Sequence, residues 1–158
     1  MLKVKLAGAN GMRLRRIFGG RGMRTPRELT VRVEQRGDAA IVHIRGRLAI
    51  EYSHAAERPL QEAVWSDARR IVINLAECTY LDTTGIAILV ANLKRARVAG
   101  KELVLAGVGR QAASVLHVTR LSTVFKMAAD VAAALAAPAE AFTQPDDDYV
   151  PIDGGASA

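Results

Sequence analysis

Between Leu29 and Ala137, short apolar runs rich in β-branched residues alternate with segments of helical spacing, and this alternation leaves few architectures open. Two alternating runs in LTVRVEQRGDAAIVHIRGRL flank Arg36-Gly37-Asp38, a turn signal, and predict an antiparallel hairpin. SHAAERPLQEAVW follows with helical spacing. RRIVINLAEC then carries a continuous apolar core suited to a strand covered on both faces. The stretch after Asp82 predicts a long helix stopped at Ala99-Gly100, and KELVLAGV predicts a strand. A helix from about Arg110 to Val118, a brief strand around Val124 to Met127 and a closing helix in ADVAAALAA complete the series. The order is ββαβαβαβα. It predicts an α/β fold with a mostly parallel sheet, an N-terminal antiparallel hairpin and helices packed against it.

Charge separates this body from its ends. The formal net charge of +6 is uneven: Lys3, Lys5, Arg13, Arg15, Arg16, Arg21, Arg24 and Arg27 precede Glu28 without an acid among them. Beyond Pro138 only acids occur: Glu140, Asp146, Asp147, Asp148 and Asp153. A basic extension over 1–27 and an acidic tail over 138–158 are therefore expected to be disordered around a domain at 28–137. Met23 offers a later start that would remove most of the basic arm. Neither an apolar run long enough for a membrane span nor a secretory h-region is found, so a soluble cytoplasmic protein is expected.

The usual signs of catalysis and cofactor binding are weak. Cys78 is the only cysteine and reads as a small buried or half-buried thiol near a strand end. His43, His54 and His117 are widely spaced and predict neither a metal nor a catalytic site. Gly107-Val108-Gly109 lacks the lysine of a phosphate loop and reads as a turn. Glu57 and Glu62 share a helix with Arg58 as a solvated face. With no nucleophile, base and oxyanion donor assembled, no cofactor and no intrinsic catalysis are expected.

The informative stretch is AECTYLDTTGIAILVANLKRA, residues 76–96, in which an acid, two threonines and a glycine precede the long helix. At about 100° per residue, Ile86, Leu89, Val90 and Leu93 fall on one side, taken to face the sheet. Thr84 then points outward with Ile88, Ala91 and Arg95, an arrangement that suits a docking patch. Asp82 or Thr83 is expected to cap the helix, with Thr83 nearer the sheet, and Gly85 to let another backbone come close. The plainer alternative is an ordinary capped helix whose Ile88 is one of the apolar residues any surface carries.

VINLAECTYLDTTGIAILVANLKRARVAGKELVLAGVGRQAASVLHVTRLSTVF resembles the STAS domain of bacterial anti-sigma factor antagonists: an apolar strand, Asp-Ser-Ser-Gly or a threonine variant, then a helix ending in Lys/Arg and Gly. The resemblance spans about Leu29 to Ala137 and implies the same ββαβαβαβα order. It implies phosphorylation of the hydroxyl residue before the glycine, here Thr84 with Thr83 as the alternative, by a partner that is both anti-sigma factor and serine/threonine kinase. A phosphatase would reset the switch, and ATP and Mg²⁺ would belong to the kinase. Asp82, Thr83, Thr84, Gly85 and Ile88 are then the expected partner-binding residues. Where such domains usually carry Asp or Asn after Gly-x-Leu, this chain has Ala49, so either Glu51 or Tyr52 is expected to hold the partner instead, or the partner is a different one. The same resemblance allows a small STAS subunit of a phospholipid-transport ABC assembly or a stressosome-type scaffold. Nucleic-acid binding through the basic arm is a reading from a different class, although no direct DNA binding is expected.

Overall fold

A computed structural model describes residues 28–138; the basic extension and the acidic tail lie outside the described residues. The elements run β1 (Thr30–Arg36), β2 (Ala39–Leu48), α1 (Ser53–Trp65), β3 (Arg70–Leu81), α2 (Thr83–Val98), β4 (Glu102–Ala106), α3 (Arg110–Val118), β5 (Lys126–Ala128) and α4 (Val131–Ala136). Short 3-10 turns at Ile50–Tyr52 and Leu121–Thr123 precede α1 and β5. The expected ββαβαβαβα order is the observed one. Two strand ends differ: β3 continues to Leu81 because β2 runs on beside it to Leu48, and β5 begins at Lys126, after the 3-10 turn has taken up Val124.

The sheet order is β1-β2-β3-β4-β5, with β1 antiparallel to β2 and every other pair parallel. Gly37 at φ 60 and Asp38 form the two-residue loop of the hairpin, a conformation that favours glycine. Right-handed crossovers that always step in the same direction leave α1, α2 and α3 on one face. Side-chain alternation divides the core accordingly. Val42, Ile44, Ile71, Ile73, Leu103 and Leu105 join the three helices in the larger cluster, whereas Ile41, Val72, Val104 and Ala106 join α4 in the smaller one.

Polar contacts tie the strand starts to α4 and the end of α1. Arg70 donates from Nε to Glu102 at 2.6 Å and from Nη1 to the carbonyls of Ala134 and Ala137 at 2.8 and 2.7 Å. Lys126 pairs with the same Glu102 at 3.0 Å. Lys101 donates to the carbonyls of Val64 and Ser66, placing a cation where the end of α1 exposes unpaired carbonyls.

On the face that carries α4, the β1–β2 half bears a polar chain. Asn74 Oδ1 accepts from the Ala76 N–H at 3.0 Å, so Asn74 Nδ2 donates to His43 Nδ1 at 3.0 Å and His43 Nε2 donates to Glu34 at 3.0 Å. Burial alone would raise the Glu34 carboxyl, but the hydrogen bonds and charges of His43 and Arg36 outweigh it and hold the group below its ordinary value.

Because both apolar clusters are assembled within residues 29–135, a chain trimmed to residues 23–140 is expected to unfold in one cooperative thermal transition close to that of the full chain. A broad, non-cooperative melt would show that residues outside this range belong to the core.

Candidate functional site

Two parallel strands end side by side, β2 at Leu48 and β3 at Leu81, and the helices that follow them start at one edge of the sheet. Asp82 joins the two ends. Its backbone is extended, its N–H points to the Leu48 carbonyl at 3.4 Å, and its own carbonyl accepts from Ile86 at 2.9 Å. The side chain caps α2, with Oδ1 accepting from the Gly85 N–H at 2.8 Å, while Oδ2 accepts from the Ile50 N–H at 3.1 Å. Of the two expected capping residues it is Asp82, not Thr83, that does this.

Gly85 is required here for space. A Cβ on it would stand 2.3 Å from the Leu48 carbonyl oxygen and 2.6 Å from Leu81 Cδ1. The backbone that comes close is this chain's own. Beyond Asn74, β3 has no pairing with β4, and the side chain of Gln111 at the start of α3 takes the place of a strand. Its Oε1 accepts from the Leu81 N–H at 2.9 Å and its Nε2 donates to the Leu81 carbonyl at 2.9 Å. The segment leading into α2 is therefore held from both sides.

The first turn of α2 presents the two threonines. Thr83 is exposed and Thr84 half-buried, which reverses the expected order, and neither hydroxyl is hydrogen-bonded among the described residues. Ile88 is 5% exposed and belongs to the larger core cluster, so its expected outward position and its place in a docking patch are corrected. Val90, expected to face the sheet, is only half-buried at the flank. The cause is Asn92. It is fully buried, donating Nδ2–H to the Ile88 carbonyl at 2.8 Å, so the buried stripe keeps the expected Ile86, Leu89 and Leu93 and extends through Gly85, Ile88, Asn92 and Ala96. The centre of the buried stripe is thereby rotated by roughly 70° from the expected one, at about 100° per residue.

Of the loop residues, Glu51 is exposed and 3.8 Å from Arg47, whose guanidinium lies 4.4 Å from the centre of the exposed Tyr80 ring. Tyr52 is half-buried against the core, and Ala49 is 1% exposed. A carboxylate or amide at Ala49 would be buried; the acceptor for this loop comes from Asp82 across the junction. Ile50, which the sequence did not single out, is 67% exposed beside the Asp82 carboxylate. A surface isoleucine in IEYS carries no periodic signal, and only the bond to Asp82 marks its place.

A model of the STAS domain family matches residues 30–134. The chain belongs to the STAS domain family. Its fold is similar to that of an anti-sigma factor antagonist from Mycobacterium paratuberculosis, at 21% identity and TM-score 0.66 over 72% of this chain and 96% of that one. It is also similar to the Bacillus cell fate determinant SpoIIAA in its phosphorylated form, at 13% identity and TM-score 0.50 over 62% and 90% of the two chains. A sulfate transporter family protein from Wolinella succinogenes shares the fold at 15% identity and TM-score 0.57 over 64% and 84%. Among the described residues no helix is long and apolar enough to cross a membrane.

Half-buried Cys78 lies in β3 near this STAS edge and donates weakly to the Tyr80 carbonyl at 3.4 Å. Burial pushes its thiol up, and backbone hydrogen bonds at Tyr80 and Leu48 offset only part of the rise. Less thiolate forms at a given pH, so alkylation by iodoacetamide at about pH 8 should be slower in the folded chain than in the denatured one. Equal rates would contradict the burial.

The corrected phase of α2 makes a second prediction. Ile88→Asp should destabilise the fold by several kcal/mol, because an unpaired carboxylate would enter the core, and it should be seen as a lowered thermal midpoint. Gly85→Ala, pressing on the Leu48 carbonyl, should cost about 1–3 kcal/mol. A wild-type midpoint for Ile88→Asp would return that residue to the surface.

Proposed function

We propose that this STAS domain is a phosphorylation-switched binding module. Unmodified, it captures an anti-sigma factor that is also a serine/threonine kinase, and so releases a sigma factor; with phosphate on Thr84 it lets go. The observation that carries the reading is the first turn of α2, where two threonine hydroxyls without hydrogen bonds among the described residues stand beside a capped junction. A phosphate there adds about −1.5 to −2 charges. The exposed N–H groups and positive end of the helix dipole tolerate that charge, so the helix has no need to unfold. A docked partner would have to desolvate it, at a cost of several kcal/mol, and each 1.4 kcal/mol is about tenfold in affinity.

The likeness to an anti-sigma factor antagonist and to SpoIIAA in its phosphorylated form supports this role. Asp82 and Gly85 hold the surface in shape, while Thr83, Thr84, Glu51 and the exposed part of Tyr52 form it. Ile88 contributes only from within the core. In this scheme a separate phosphatase resets the module, and ATP and Mg²⁺ are bound by the kinase.

Incubation of the full chain with the anti-sigma factor kinase and ATP, followed by mass-spectrometric site mapping, should place phosphate on Thr84. Thr84→Ala should abolish incorporation, change stability by less than about 0.5 kcal/mol and remain bound to the kinase, whereas Thr84→Glu should bind weakly. Phosphate on Thr83, the more exposed of the two, or undiminished incorporation in Thr84→Ala would defeat the assignment.

A further inference from the structure

The two oxygens of the Asp82 carboxylate serve two different segments. Oδ1 accepts from Gly85 in the first turn of α2 at 2.8 Å, and Oδ2 accepts from Ile50 in the loop between β2 and α1 at 3.1 Å. Both bonds issue from one rigid planar group, so a rotation that breaks one disturbs the other. The loop it holds is short and carries the 67% exposed Ile50 side chain, followed by the exposed Glu51. Ala49 has no side-chain acceptor to substitute for Asp82.

Thr84 lies two residues beyond Asp82 in the same helical turn, and its hydroxyl is not engaged. A phosphate on it would bring three acceptor oxygens and a larger negative charge to the N–H groups that Asp82 caps. Competition for those donors and repulsion between the two anions both act to turn the carboxylate away. We propose that phosphorylation of Thr84 is relayed through Asp82, releasing the Ile50 amide and with it the β2–α1 loop. This rests on the phosphorylation reading above and adds how the switch reaches a second segment: the phosphate alters the shape of the neighbouring loop as well as the charge at its own position.

The relay can be read without any partner, from amide hydrogen exchange of the full chain. The unmodified protein should protect both Ile50 and Gly85. The full chain carrying phosphothreonine at position 84, introduced during translation, should lose protection at Ile50 by about tenfold or more, the scale of one charge-assisted hydrogen bond. Asp82→Ala removes both acceptor oxygens and should free Ile50 without modification; if that variant does not fold, Asp82→Ser, whose short hydroxyl can keep only a first-turn cap, should do the same. Unchanged Ile50 exchange in the phosphorylated chain would overturn the relay, as would protected Ile50 in these Asp82 variants. Either result would leave the binding-module reading to its own test, because kinase incorporation and exchange are measured separately.

Discussion

The close approach of the first turn of α2 to the Leu48 carbonyl is the constraint on which the functional edge depends. It exists because residue 85 has no side chain: a methyl group would overlap the carbonyl oxygen at 2.3 Å. With the helix start held this near, the side chain of Asp82 can reach its own first turn and the Ile50 N–H of the neighbouring loop together. Gln111 secures the other side by pairing with both backbone groups of Leu81. The segment from Leu81 to Gly85 is thereby fixed before any partner arrives, which limits the ordering cost of binding.

That rigidity suits the hydroxyl pair at this position to the proposed switch. A helix whose start is packed against the Leu48 carbonyl and whose entry strand is held by Gln111 stays helical when charge is added, so the added charge is expressed at the surface and not in global unfolding. The sheet beneath is buried on both faces at its centre and is pinned at its opposite end by Arg70, Glu102 and Lys126. The edge that carries the threonines is thus a stable platform, and the β2–α1 loop with its exposed Ile50 is the segment there that Asp82 can hold or release.

Most of the fold was legible in the chain because its segments obey simple periods. The hairpin turn at Gly37, the helix over Ser53–Trp65 and the helix from Arg110 to Val118 stand where their spacing puts them. The motif Asp82-Thr83-Thr84-Gly85 was equally plain, but the direction of its side chains was not. Asn92 is polar yet fully buried, its amide satisfied by the helix backbone, and a wheel drawn from polarity alone turns Ile88 outward in error. Gln111 and Ile50 escaped notice because their importance comes from hydrogen bonds to residues 30 and 32 positions away, which no local pattern records.

Under the proposed switch, one phosphate at the start of α2 decides whether the module holds its partner. A calorimetric titration of the anti-sigma factor kinase with the full chain, unmodified or carrying phosphothreonine at position 84, tests it most directly. Affinity should fall at least about tenfold on phosphorylation, the equivalent of roughly 1.4 kcal/mol, with the thermal midpoint of the module little changed. Equal affinity of the two forms would contradict it, and so would a loss of affinity that merely accompanies unfolding.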